Sequence, residues 1–293
     1  MRELEITDLL WQADTAGHRV PVVQSEAVSL LTDLGQRRAA RIVARMPSDS
    51  GGVLDPGYVD DLMIRVHGEI ERLSERLRFA RRVAGVLAPL VTQVKTMASG
   101  RAVRVVDVGC GVGSVVRWLA ATSALGTSVD LVGIDVNATL VSAASRMASR
   151  DGLRCRFMRA DAFTPGAVIE EGPRTVVISS GLLHHVPAPE LSGFFAAQAR
   201  LDVAAFAHWD IVPCLWSTLG AWVLLRTRMR EQVCRHDGLV SARRAHPASA
   251  LLGAARAGAP EYRVRIAEES PWRTRALDVL RPIVGVSAAL PQA

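Results

Sequence analysis

Val105-Val106-Asp107-Val108-Gly109-Cys110-Gly111-Val112-Gly113-Ser114 is a β-branched run that breaks into alternate glycines and then into a helix-forming stretch. Three glycines in five residues permit left-handed backbone and close approach. The N–H groups at the start of the following helix can then meet a polar ligand. A tight strand-to-helix turn with no ligand has the same local pattern, so the turn is read together with the segments after it.

Downstream, short β-branched runs alternate with helical segments. Strands are predicted at 102–108, 128–134, 153–159, 175–179 and 201–210, with helices at 115–124, 138–150 and 189–199 between them. This order implies right-handed crossovers and a doubly wound, mostly parallel α/β sheet covered on both faces. Ligands of such sheets lie at the carboxyl ends of the strands, and that is where the chemistry is sought. Asp107 lies at the end of the first strand, Asp135 and Val136 end the second, and Asp161 and Ala162 follow the third. The fourth runs into Ser179-Ser180-Gly181-Leu182-Leu183-His184-His185. Any one of these aspartates could be only a helix N-cap, whereas an acid ending the second strand can accept two hydrogen bonds from ribose hydroxyls.

Over roughly residues 80–280 these positions resemble the class I S-adenosylmethionine-dependent methyltransferases, whose sheet has seven strands. The resemblance implies that Asp107, Gly109, Cys110, Gly111 and Gly113 hold the methionine end of S-adenosyl-L-methionine. It also implies that Asp135, with Val136 beyond it, binds the ribose, and that Asp161 and Ala162 flank the adenine. Ser180, Gly181 and the residues to His185 would close over the cofactor and face the acceptor. A nicotinamide-dependent dehydrogenase would need glycine at position 114, where the chain has Ser114.

In methyl transfer from a sulfonium the protein mainly aligns the acceptor and excludes water. An acidic acceptor would also need a base, and the candidates are His185, His184 and His208, the last oriented by Asp210. His185 has an equal claim to be a wall of the cofactor pocket. A magnesium site of His184, His208 and Asp210 matches no known ligand spacing, so no metal is expected.

The regions around this core read more simply. Residues 1–98 are expected to be helical, with apolar stripes along 26–45 and 59–97, Pro89 kinking or splitting the second run. This region would cover the acceptor pocket or form a homodimer interface, and residues 99–293 would be the methyltransferase domain. After the fifth strand, 211–245 is a candidate lid: Ile211 to Leu225 is uncharged and apolar and carries Trp216 and Trp222, which suits a lipophilic small acceptor, although an ordinary core helix has the same pattern. It contains Pro213 and is shorter than the ~20 apolar residues that span a bilayer, and the first residues do not form a signal peptide. Further strands are expected at 262–267 and near 274–280, after a helix at 248–257.

The four cysteines are scattered without a CxxC pair, which excludes a zinc ribbon or disulfide framework and fits a reducing cytoplasm. Lys+Arg number 35 against 29 Asp+Glu, a net charge of +6, but Lys95 is the only lysine and the arginines are spread along the chain. That pattern reflects GC-rich coding more than nucleic-acid binding. SSGLLHH also lacks the Pro-Pro-aromatic segment of base-amine methyltransferases, and the Pro213-Cys214 pair follows the fifth strand, not the fourth as in cytosine C5 enzymes. The alternatives to a small-molecule enzyme are an RNA methyltransferase, a non-catalytic cofactor-binding scaffold and an NAD-dependent oxidoreductase.

Overall fold

The computed structural model describes residues 3–12, 14, 19–97, 102–169, 173–213, 223, 225–267 and 280–289. Trp216, Trp222 and the predicted strand residues 274–279 lie outside the described residues. The chain divides into two compact units, each built from two segments: Met1–Leu73 with Cys214–Arg244, and Ser74–Pro213 with Ala245–Ala293.

In the first unit the run at 26–45 forms two helices, α2 (Gln24–Asp33) and α3 (Arg37–Val43), after a short α1 (Ile6–Leu10). Gly35, at φ +75°, turns the chain between them, and Gln36 N–H closes the end of α2 on the Leu31 carbonyl at 2.8 Å. The run at 59–97 is also two helices, α4 (Pro56–Arg76) and α5 (Phe79–Met97). The break comes at Arg78, which takes a left-handed φ of 52°, and not at Pro89 as the sequence suggested. Pro89 is on the exposed side of α5, four residues after exposed Gly85, so the carbonyl that loses its bond can turn to water.

Buried acids hold the two segments of this unit together. Asp237, in the helix Gln232–Arg244, accepts hydrogen bonds from Ile6 N–H at 2.8 Å, Thr7 N–H at 3.0 Å and the Thr7 hydroxyl at 2.8 Å, capping α1 from another part of the chain. Glu69 of α4 accepts from the N–H groups of Arg230 and Glu231, just before that same helix. Its negative charge stands at the helix's positive end. Arg244 pairs with Glu5 at 3.3 Å and Asp8 at 2.7 Å. Residues 225–244, part of the candidate lid at 211–245, therefore share a compact unit with the first segment, and α5 belongs with the sheet, so the expected division at 98/99 differs from the one between these units.

The second unit carries a seven-stranded sheet in the order β3-β2-β1-β4-β5-β7-β6. Its strands are β1 (Val103–Val108), β2 (Val129–Asp135), β3 (Arg156–Arg159), β4 (Arg174–Ser180), β5 (Ala205–Ile211), β6 (Tyr262–Ile266) and β7 (Leu280–Ser287). β1 to β5 pair in parallel, whereas β7 runs antiparallel to both β5 and β6. Between the strands come α6 (Ser114–Thr122), α7 (Ala138–Arg150), α8 (Gly166–Ile169) and α9 (Leu191–Arg200).

Alternate residues of each strand feed two cores. Val103 and Val105 of β1, Leu131 of β2 and Trp209 of β5 pack with Leu87 and Val91 of α5 and Val116 and Leu119 of α6. Val106, Val132 and Phe206 pack on the other face with Phe194 and Phe195 of α9 and with Leu251 and Ala255 of the helix Ala248–Gly258. Such strands are buried on both faces, which is why they read as apolar runs. The strand order reverses between β1 and β4, so a crevice opens at their carboxyl ends.

Candidate active site

The glycine turn after β1 takes its shape from left-handed backbone at Gly109, Gly111 and Gly113, with φ of 69°, 56° and 72°. Two bonds tie it to the end of β2: Cys110 N–H donates to the Ile134 carbonyl at 3.0 Å, and Gly111 N–H donates to Asp135 Oδ2 at 2.8 Å. The other oxygen of Asp135 accepts from Asn137 N–H at 2.9 Å. Asp135 is half-buried, so its remaining lone pairs lie near solvent at the crevice.

Phe157 of β3 explains the glycines at 113 and 133. A Cβ at Gly113 would stand 2.3 Å from Phe157 Cε1, and one at Gly133 would stand 2.5 Å from Cδ1. The ring fills the space of both missing side chains, so turn, β2 and β3 interlock around it.

Asp107 is 1% exposed, and its Oδ1 has no hydrogen-bond partner among the described residues. Burial first, and the charge of Asp135 second, push its carboxyl up from 3.8 to about 8. Burial likewise holds the Cys110 thiol well above its ordinary range. Along the crevice Val136 is 45% exposed, an apolar side chain left uncovered at the end of β2. Asp161 is exposed and closes a turn by accepting Phe163 N–H at 2.8 Å, with Ala162 half-buried beside it. Ser180 and Gly181 are half-buried, and Gly181, at φ 70°, bonds to the Trp209 carbonyl.

The histidines separate into different roles. His208 is fully buried, its Nδ1 2.9 Å from the Ser179 hydroxyl and its Nε2 3.1 Å from Gln198 Oε1, with its ring stacked 5.4 Å from that of Phe206. Burial, outweighing the carboxylate of Asp210, pushes its imidazole down to about 3. His208 is a neutral core histidine. Its expected role as a base is corrected here, because both ring nitrogens are occupied and water is excluded. The same occupancy leaves the set His184, His208 and Asp210 unassembled as a metal site.

Asp210 orients His184 instead of His208. Its carboxylate accepts the His184 backbone N–H at 2.8 Å and lies 2.8 Å from His184 Nδ1. Burial alone would raise this carboxyl, but the His184 imidazole and the N–H groups of Ile211 and His184 hold it below the usual carboxylate range. The pair fixes the turn Leu183–His185 against the end of β5. His185 is half-buried, its ring 4.3 Å from that of His184.

Residues 105–201 match the family described as methyltransferase domain. That match places a methyltransferase domain on β1 to α9, about a third of the chain. The fold of this chain is similar to that of the plantazolicin methyltransferase BpumL in complex with SAH, with a TM-score of 0.52 at 12% identity over 80% of this chain and 91% of that one. A similar match is the plantazolicin methyltransferase BamL in complex with a triazolic desmethylPZN analog and SAH, with a TM-score of 0.51 at 13% identity over 75% of this chain and 90% of that one. A segment of 66 residues is 39% identical to the ribosomal RNA small subunit methyltransferase C of Alcanivorax borkumensis, covering 22% of this chain and 19% of that protein. The match thus spans about a fifth of that relative's length.

The residues present at the turn fit S-adenosylmethionine. A buried carboxyl oxygen stands unpartnered at the end of β1, beside a turn shaped by three left-handed glycines. Asn137 and Phe157 were not singled out from the sequence. Asn137 is buried and caps α7 by accepting Thr139 N–H at 2.9 Å, and its Nδ2 has no partner among the described residues. An Asn directly before a helical run was the signal for it.

His208→Gln should leave the pH profile of turnover unchanged, since the imidazole is shut in the core. The stability effect has a definite sign. The imidazole's folded value lies below its free value, so the unfolded chain binds the extra proton and stability falls as pH drops through 6.5 toward 3. Relative to the variant, the wild type should lose up to about 1.4 kcal/mol per pH unit in that window, read by urea unfolding at pH 7, 6 and 5. Equal losses would contradict the neutral-core assignment.

Proposed function

We propose that this protein transfers the methyl group of S-adenosylmethionine to a small, lipophilic acceptor. The observation that carries the cofactor half is the junction of the glycine turn with Asp135 at the point where strand order reverses. The bound cofactor would supply a methyl group activated on a positively charged sulfur. Asp135 would accept the ribose hydroxyls while holding Gly111 in place, and Asp107 would face the cationic methionine end. Asp161, Ala162 and Val136 would border the adenine, and Ser180 and Gly181 would close the crevice.

For an acceptor that must lose a proton, His185 is the remaining candidate base: His208 is enclosed, and Nδ1 of His184 is committed to Asp210. His185→Ala then lowers turnover with cofactor affinity kept; loss of both makes it a wall. Support for a lipophilic acceptor comes from the apolar 211–225 segment and from the heteroaromatic ligand in the BamL complex. The short identity to an RNA methyltransferase favours a second reading, an RNA acceptor.

Isotope from labelled S-adenosylmethionine, offered to a lipophilic metabolite fraction and to total RNA, tests the two. Label extracted into organic solvent supports the first, whereas ribonuclease-sensitive label supports the second. Asp135→Ala should weaken S-adenosylhomocysteine binding by about 1–3 kcal/mol in calorimetry, and unchanged affinity would remove Asp135 from the site. We further propose that any homodimer forms through the N-terminal helices. No described helix is long and apolar enough to cross a membrane.

A further inference from the structure

We propose that cofactor capture expels a proton from Asp107: the free site holds a neutral carboxyl there, and it becomes a carboxylate counter-charge only when a cationic ligand arrives. This rests on the reading of S-adenosylmethionine as the cofactor. The two acids at the crevice are served unequally. Both oxygens of Asp135 accept backbone N–H groups, from Gly111 and Asn137. Asp107 is buried and has an oxygen with no donor.

Among the described residues, none of the groups acting on Asp107 offers it a positive charge. Asp135 contributes a repelling carboxylate from β2, and the turn contributes the Cys110 thiol, which is itself held neutral by burial and by both acids. Its register partners are Gly133 on β2 and Ile178 on β4, neither of which is charged. Two neighbouring carboxyls with donors for only one of them keep a proton on the other.

A ligand with an ammonium or sulfonium group supplies the missing positive charge, and the proton leaves to solvent. A ligand without a cation must instead meet the charge of Asp135 and leave Asp107 protonated. The site would thereby reject anionic nucleotides by charge as well as by shape.

The test is calorimetric titration of the full chain with S-adenosylhomocysteine, which keeps the ammonium, at pH 6.5 in two buffers of different ionisation enthalpy. About one proton should be released per ligand bound, and affinity should rise up to about tenfold per pH unit from pH 5.5 to 6.5, where the ligand's amine stays charged. In Asp107→Asn the buffer dependence should vanish and affinity should fall. Binding by the wild type with no proton release, or equal release by the variant, would overturn the proposal. The wild-type titration decides even if the variant does not fold, and absence of binding by both S-adenosylmethionine and S-adenosylhomocysteine would instead overturn the cofactor reading.

Discussion

Asp210→Ala is expected to destabilise the sheet-bearing unit by about 3–5 kcal/mol, the usual result of removing one partner from a buried charged pair. The carboxylate accepts from the His184 and Ile211 backbone N–H groups and lies within hydrogen-bond distance of His184 Nδ1. Alanine would leave those groups in a site where Asp210 is 4% and His184 5% exposed. Asp210→Asn keeps the shape and one acceptor, so its loss should be smaller. Because the pair anchors the turn after β4, S-adenosylhomocysteine affinity should fall with it. Urea midpoints at pH 7 for the two variants measure the effect, and wild-type stability in Asp210→Ala would refute the anchor. The pH dependence has a definite sign as well: a carboxyl held below 3.8 stabilises the fold above pH 4, and that contribution disappears as pH falls through its folded value.

Gly113→Ala should be nearly as damaging, at about 2–5 kcal/mol, because left-handed backbone and overpacking act together. Backbone strain follows from φ of 72°, and the new methyl would also meet the Phe157 ring at 2.3 Å. The two contributions can be separated by a double-mutant cycle. Phe157→Ala in the Gly113→Ala background should recover the steric part and leave the φ penalty, giving a coupling of about 1–3 kcal/mol. Additive losses would mean that the ring moves aside freely. Cofactor affinity follows the backbone part, since Gly113 ends the turn from which α6 starts.

The frame of the sheet and the positions of its acids were legible because both depend on local patterns: β-branched runs, alternate glycines, and a polar residue where each run stops. His208 and Asp210 were placed correctly on one side of β5, yet the partner of Asp210 was misread. Which histidine an acid meets depends on the turn after β4, a contact between residues 26 apart in the chain. The helix break at Arg78 was hidden for a related reason. Proline is the stronger local breaker, but its exposed position in α5 made it tolerable, whereas the left-handed arginine has no sequence signature. The grouping of 214–244 with the first 73 residues rests on Asp237, Glu69 and Arg244, whose partners lie far away in sequence.

That grouping affects the order in which the protein can be made. α1 to α4 leave the ribosome ahead of the sheet, but the helix bearing Asp237 and Arg244 follows only after roughly 170 more residues, about 10–30 s of synthesis at ordinary rates. During that interval the first segment lacks the helix that caps α1, while all five parallel strands of the sheet are already emerging. The sheet-bearing unit in turn awaits β6 and β7. Neither unit can be completed before the other has been started, and α1 waits for its cap until Asp237 has been made.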